Sequence, residues 1–140
     1  MSLKQKYGNI LRIDTSDDDM PIRVLIADDH PLHRTMLSLW FEEEGIVVTA
    51  EARDGEETLR KMDQEEFDVI IPDISLPKRD GIEVLKELRR RGKKIPVIIT
   101  SNYSKKDFES AVLSIGASCY VEKGDVKKII EAVKACIPDR

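Results

Sequence analysis

Aspartates follow two apolar segments of the chain, at the points where buried strands are expected to end. Asp28 and Asp29 come directly after the apolar residues 24–27, and Asp73 ends the run 67–72. The carboxyl ends of parallel strands form the edge at which open α/β sheets bind their ligands. If the two strands are neighbours, three carboxylates converge, and like charges so close together need a cation. The sequence therefore predicts a site for a divalent metal.

Two more polar residues end predicted strands. Thr100 follows Val97-Ile98-Ile99, and Lys123 follows the segment 119–122. All strand ends of a parallel sheet face the same way, so a hydroxyl and an ammonium group should point toward the three acids.

This set of side chains is suited to phosphoryl transfer. Asp28 and Asp29 favour a small, hard cation with oxygen ligands, Mg²⁺ or alternatively Mn²⁺. Asp73 is the best-placed nucleophile, while the metal and Lys123 can neutralise the phosphoryl oxygens. Thr100 can donate a hydrogen bond to the attached group. The expected product is an aspartyl phosphate.

Five apolar segments alternate with five amphipathic segments from Pro21 onward. Strands are predicted at 22–27, 47–52, 68–71, 95–100 and 118–121, and helices at 31–44, 55–64, 81–91, 105–115 and after the cap Asp125. Nearly all-apolar strands indicate a parallel sheet covered on both faces. Right-handed crossovers favour a single doubly wound (βα)5 sandwich of the α/β class, flavodoxin-like, with strand order 2-1-3-4-5. That order makes the first and third strands neighbours.

The first helix is predicted to turn its most apolar stripe inward. Leu32, Met36, Leu39 and Trp40 recur near a spacing of 3.6 residues, which is typical of a core-facing helix. Trp40 and Phe41 are accordingly interpreted as packing residues.

Length and charge limit the class of protein. A chain of 140 residues is expected to form one domain, 21–140, preceded by a flexible leader or linker, 1–20, that ends in an acidic run. The net charge of −4 gives no reason to expect nucleic-acid binding. No apolar run could span a bilayer and the N-terminus has no signal-peptide core, so we expect a cytoplasmic protein.

Five separated features make the chain resemble the receiver domain of two-component response regulators over residues 22–137. They are Asp28-Asp29, the segment Asp73-Ile74-Ser75-Leu76-Pro77 with Asp80-Gly81, then Thr100, Gly116-Ala117, and Tyr120 with Lys123. The segment Asp28-Asp29-His30-Pro31-Leu32 is also similar to the subgroup that is usually fused to a helix-turn-helix DNA-binding domain. Such an output domain is absent from this chain.

The resemblance implies a role for each acid. Asp73 would be the phosphoacceptor, supplied by a histidine kinase or a phosphotransfer protein. Asp29 would bind Mg²⁺ directly and Asp28 largely through water, with the backbone carbonyl of Ser75 as a further ligand.

The resemblance also implies a signalling switch, not an enzyme with a separate substrate. Thr100 and Tyr120 would be the switch pair, and the output surface would be the fourth helix, fifth strand and fifth helix. The first helix would meet the phosphodonor. Self-phosphorylation and slow self-dephosphorylation would be the only chemistry.

Ser75 and Asn102 occupy the two positions that tune hydrolysis in the family, because they flank the attacking water. Neither ionises near neutral pH, so neither can act as a general base. Our hypothesis is a phosphoryl lifetime of minutes or longer.

Two residues depart from the family pattern. Pro72 precedes the phosphoacceptor and lacks an N–H, so one ladder hydrogen bond should be missing. Gly124 follows Lys123 where many relatives have proline after a cis bond, and without proline we expect a trans bond.

His30 and His33 have no cysteine partner, so we interpret them as rim residues near the phosphodonor contact and not as metal ligands. Two other functions stay open: a phosphohydrolase with an aspartyl nucleophile, and an interaction module that never uses phosphate. The sequence leaves open whether the chain forms a homodimer.

Overall fold

Strands and helices alternate strictly in the computed structural model, which describes residues 20–137. The predicted leader thus lies outside the described residues, apart from Met20. The strands are β1 (Ile22–Ala27), β2 (Ile46–Ala52), β3 (Val69–Pro72), β4 (Ile98–Ser101) and β5 (Cys119–Glu122). The helices are α1 (Pro31–Glu42), α2 (Gly55–Gln64), α3 (Gly81–Arg90), α4 (Lys105–Ile115) and α5 (Val126–Cys136). The predicted order of elements is confirmed, with bounds that differ by a few residues.

The sheet is parallel and has the predicted strand order. β1 lies between β2 and β3, and β4 pairs with β5. Parallel bridges from Ile70 to Val97 and from Asp73 to Thr100 join β3 to β4. The full order is therefore 2-1-3-4-5, that of the flavodoxin-like doubly wound fold.

Pro72 interrupts the ladder between β3 and β4. The Ile70 N–H donates to Pro96 at 3.0 Å, and the Ile74 N–H donates to Thr100 at 2.8 Å. In a parallel sheet alternate residues bond to the same neighbour, so Pro72 stands where the intervening donor would be. Because proline has no N–H, only isolated bridges remain at the seam, the junction between β3 and β4.

The edge strand β2 contains one extra residue relative to β1. Val24 pairs with Val48, but Leu25 pairs with Ala50. Thr49 is therefore a bulge on the edge strand.

Hydrophobic side chains cover both faces of the sheet. Leu25 packs on one face with residues of α2, α3 and α4, such as Met62, Leu85 and Val112. Ile26 packs on the other face with residues of α1 and α5. This alternation explains why the strands are almost wholly apolar.

The prediction for α1 is wrong, because the stripe expected in the core faces outward. The exposed fractions are 73% for Leu32, 41% for Met36, 62% for Leu39 and 57% for Trp40. Leu37 and Phe41 are buried instead, so of the two predicted packing residues Phe41 is confirmed and Trp40 is not.

A contact at the start of α1 accounts for this orientation. His33 Nδ1 lies 2.6 Å from the Asp28 carboxylate. Residues four apart share a face of a helix, so turning His33 toward Asp28 also turns Leu37 and Phe41 toward the sheet.

Every peptide bond in the described range is trans, including the predicted one between Lys123 and Gly124. Of the helices in residues 20–137, none has both the length and the apolar character needed to cross a membrane.

Candidate functional site

Three aspartates meet at the carboxyl edge of the sheet, as predicted. Asp28 and Asp29 follow β1 and Asp73 follows β3, and the Asp73 N–H donates to Ala27 at 2.8 Å. Asp28 and Asp73 are buried and Asp29 is exposed. One carboxylate oxygen from each acid and one ring nitrogen of His30 lie within 4.8 Å of one another. The convergence follows from the neighbouring positions of β1 and β3.

Lys123 bridges the two buried acids. Its Nζ lies 2.9 Å from Asp28 Oδ2 and 2.9 Å from Asp73 Oδ2, and its side chain is 7% exposed. Burial alone would lower the pKa of Lys123, but the carboxylates of Asp28 and Asp73 hold it above its ordinary value. The ammonium group is therefore charged and offsets part of the negative charge of the pocket.

Backbone pairing fixes the position of the Lys123 backbone, from which the side chain extends. The Lys123 N–H donates to Ser101 at 2.7 Å, which extends the pairing of β5 with β4 beyond the last strand residue. The prediction that Lys123 faces the acids is confirmed.

Asp28 is held by several donors. The His30 N–H lies 2.9 Å from Asp28 Oδ1, and His33 Nδ1 lies 2.6 Å from Oδ2. Burial would raise the pKa of Asp28, but hydrogen bonds from His33, Lys123 and His30 more than offset it and hold that pKa well below its usual range. Arg34 also donates to the Asp28 carbonyl at 2.6 Å. The Asp28 carboxylate is therefore ionised and fixed in place.

His30 also lies among the acids, a position that was not predicted from the sequence. His30 Nδ1 lies 2.9 Å from Asp28 Oδ1 and 3.1 Å from Asp29 Oδ1. The local signal is the spacing: an aspartate side chain that accepts the N–H two residues on forms an Asx-turn. That turn brings the side chain of residue 30 over the carboxylates.

Thr100 and Tyr120 are both buried but make different contacts. Thr100 is buried and pairs with Asp73 across the seam. The Tyr120 ring is also buried, and its hydroxyl donates to the Tyr103 carbonyl at 2.8 Å. Burial raises the pKa of Tyr120. In this structure Tyr120 is turned inward and bonded to the loop that follows β4.

Ser75 and Asn102 are both exposed. The Ser75 N–H lies 3.2 Å from Asp73 Oδ1. The loop after β3 thus places Ser75 beside the acid that it follows.

The amino end of α3 packs against the backbone of Asp73. The Gly81 N–H donates to Ile74 at 3.1 Å. A Cβ added to Gly81 would lie 2.5 Å from the Asp73 carbonyl oxygen. Glycine therefore permits this close approach, which contributes to the position of Asp73.

The donor set fits a small divalent cation. Carboxylate oxygens are the ligands that hard divalent cations prefer, and three carboxylates supply them here. Lys123 neutralises only part of their charge.

The comparison with protein families gives one match that covers most of the chain. The model of the response regulator receiver domain matches residues 24–134.

Curated relatives include longer proteins. The transcriptional regulatory protein PdtaR of Mycobacterium tuberculosis is 31% identical over 88% of this chain, which spans 61% of that protein's length. A protein-glutamate methylesterase/protein-glutamine glutaminase of Caulobacter vibrioides is 34% identical over 77% of this chain and 32% of its own length.

Solved structures share the fold. The Francisella response regulator 1452 receiver domain is 33% identical with a TM-score of 0.79, over 84% of this chain and 97% of its own. A chain in the CheX–CheY–BeF3–Mg²⁺ complex of Borrelia burgdorferi is 30% identical with a TM-score of 0.79, over 84% of this chain and 90% of its own.

Proposed function

Because the chain belongs to the response regulator receiver domain family of two-component systems, we propose that it is a phosphoacceptor switch whose acceptor is Asp73. The observation that carries the proposal is the buried Asp73 carboxylate, 2.9 Å from Lys123 in a cluster of three acids. The donor would be a phosphohistidine of a histidine kinase or a phosphotransfer protein.

The transfer requires one bond to form and one to break. A carboxylate oxygen of Asp73 forms a bond to phosphorus, and the bond from phosphorus to the donor imidazole nitrogen breaks. The electron pair goes to that nitrogen, which takes up a proton from solvent. Lys123 binds a phosphoryl oxygen as the phosphoryl group moves onto Asp73, and Thr100 donates a hydrogen bond to another.

Asp28, Asp29, Asp73 and the backbone carbonyl of Ser75 would hold Mg²⁺, or Mn²⁺ in its place. When bound, the cation neutralises negative charge on the phosphoryl group. His33 and Lys123 keep the Asp28 carboxylate ionised and oriented.

Phosphorylation would shift an equilibrium between two conformations. A phosphoryl group adds charge and acceptor oxygens beside Thr100. Movement of Thr100 toward it would alter the β4–α4 loop, which Tyr120 contacts through its hydroxyl. The surface that changes would be that of α4, β5 and α5.

The greater length of several relatives supports a modular protein. We take residues 21–140 as the receiver unit and 1–20 as a leader or linker. The output would be a helix-turn-helix domain outside this chain or a homodimer formed through the α4–β5–α5 surface, and the receiver's own chemistry would be limited to phosphorylation and slow dephosphorylation.

Intact mass after incubation with acetyl phosphate tests the proposal. We expect a Mg²⁺-dependent gain of one phosphoryl group that is lost in Asp73→Asn. Asp63→Asn, which changes an exposed acid on α2, is the matched control and should gain the group normally. No gain in the wild type under any condition would contradict the proposal.

The lifetime of the phosphoryl group is a separate prediction. Ser75 and Asn102, which would flank the attacking water, are both exposed, yet neither can accept a proton from water at neutral pH. We therefore expect a half-life of minutes or longer after the donor is removed. Decay within a few seconds in the absence of a phosphatase would show that another group activates the water.

A further inference from the structure

The ring of His30 adds a nitrogen donor to a pocket of carboxylates. His30 Nδ1 lies 2.9 Å from Asp28 Oδ1, 3.1 Å from Asp29 Oδ1 and 3.5 Å from Lys123 Nζ. The His30 N–H is itself bonded to Asp28, so the backbone that carries the ring is fixed. The imidazole is thus a part of the site's donor set that the proposed function does not use.

The two short distances match the spacing of neighbouring ligands on one ion. Two ligands at a right angle, with bonds of about 2.1 Å, lie about 3.0 Å apart. His30 Nδ1 has this separation from one oxygen of Asp28 and from one oxygen of Asp29. The ligand atoms of His30 and of the three acids all lie within 4.8 Å of one another, so a cation between them would replace the contacts of the ring nitrogen with the acids.

An imidazole ligand alters which metal is favoured. Mg²⁺ takes oxygen ligands, whereas Mn²⁺, Co²⁺ and Ni²⁺ also accept imidazole nitrogen, with affinity rising in that order. We propose that His30 is a nitrogen ligand at the acidic pocket and that it makes the site bind transition-metal cations in preference to Mg²⁺. The inference rests on the proposed metal site but not on phosphoryl transfer.

Pulsed electron paramagnetic resonance of the Mn²⁺ complex detects the ligand directly. We expect the wild-type complex to show echo modulation from a coordinated ¹⁴N nucleus, and ¹⁵N-labelled histidine to change its frequency. His30→Ala, which keeps His33 as an internal control, should lose the modulation. A wild-type complex without nitrogen modulation, or a variant that retains it, would overturn the inference.

Calorimetry with Mg²⁺ and Co²⁺ distinguishes whether His30 binds the metal itself or only supports the acids that do. Loss of His30 should weaken Co²⁺ binding about tenfold or more, on the order of the losses seen when groups around a metal are removed, and change Mg²⁺ binding much less. Equal weakening of both cations would show that His30 only supports the acids and would overturn the proposal.

The two proposals can fail separately. A protein that becomes phosphorylated on Asp73 but shows no nitrogen modulation would retain the proposed function and lose the His30 ligand. A protein that shows the modulation but never becomes phosphorylated would retain the His30 ligand and lose the proposed function.

Discussion

Lys123 compensates for the burial of two like charges. Replacing it with methionine would leave the carboxylates of Asp28 and Asp73 buried without their shared cation. Breaking a buried ion pair on one side costs about 3 kcal/mol or more. We therefore expect Lys123→Met to lower the free energy of unfolding by about that amount in the absence of divalent cations.

Mg²⁺ should restore part of this loss, because it supplies positive charge to the same acids. Urea unfolding of both proteins with and without Mg²⁺ measures the effect. If the loss in Lys123→Met were unchanged by Mg²⁺, the metal would not bind at these acids.

Tyr120 provides a prediction about alkaline pH. Its pKa is raised above the ordinary value of 10.0, mainly by burial. The resulting stabilisation is complete below pH 10 and is lost as the pH rises through the pKa of the folded protein. Wild-type stability should therefore fall more steeply above pH 10 than that of Tyr120→Phe.

Near neutral pH, Tyr120→Phe should lower the free energy of unfolding by about 1 kcal/mol, because the Tyr103 carbonyl loses its hydrogen-bond donor. Urea midpoints across the pH range, with the tyrosinate absorbance followed in parallel, measure both effects. Parallel curves for the two proteins would mean that Tyr120 ionises as if exposed.

At the level of residues, the sequence was sufficient to predict those side chains whose position depends only on where a strand ends. Asp73, Thr100 and Lys123 each stand at or just after the end of a predicted strand, and parallel pairing brings such ends together. His30 was missed because its position depends on a turn in which Asp28 accepts the N–H of residue 30. The spacing of apolar residues along the sequence gives no information about such a turn.

Among the elements, α1 shows where periodicity fails. The helix has two apolar stripes with nearly the same spacing, and hydrophobicity alone favours the stripe that includes Trp40. The contact of His33 with Asp28 selects the stripe of Leu37 and Phe41. The orientation of the helix is thus determined by the pocket, which the sequence pattern of α1 does not describe.

Adjacent aromatic residues of α1 test this orientation. Phe41→Ala should lower the free energy of unfolding by about 3–5 kcal/mol, since it removes a fully buried ring. Trp40→Ala should change it by less than about 0.5 kcal/mol, as is usual for exposed positions. Urea unfolding followed by circular dichroism compares them, and equal losses would contradict the orientation of α1.

At the scale of the whole molecule, the site spans the junction between β3 and β4, beside Pro72. The acids follow β1 and β3, whereas Thr100 lies in β4 and Lys123 follows β5. The sequence predicted both halves and their order, as well as the missing donor at Pro72. It did not predict how closely the helices approach the loops that complete the site.

Gly81 tests that close approach. In Gly81→Ala the new Cβ would meet the Asp73 carbonyl at 2.5 Å, so α3 or the loop must move. We expect a loss of about 1–3 kcal/mol in the free energy of unfolding and slower phosphorylation by acetyl phosphate. Lys86→Ala, an exposed change on the same helix, is the control, and wild-type behaviour of Gly81→Ala would show that the loop tolerates the shift.

The bulge at Thr49 has a consequence for association between copies of the chain. A sheet edge presents unpaired N–H and C=O groups that can recruit a strand from another molecule, with aggregation as the result. An extra residue in β2 breaks the regular spacing of those groups. The β2 edge is therefore a poor template for a second sheet, so this irregularity helps to keep the folded chain from aggregating.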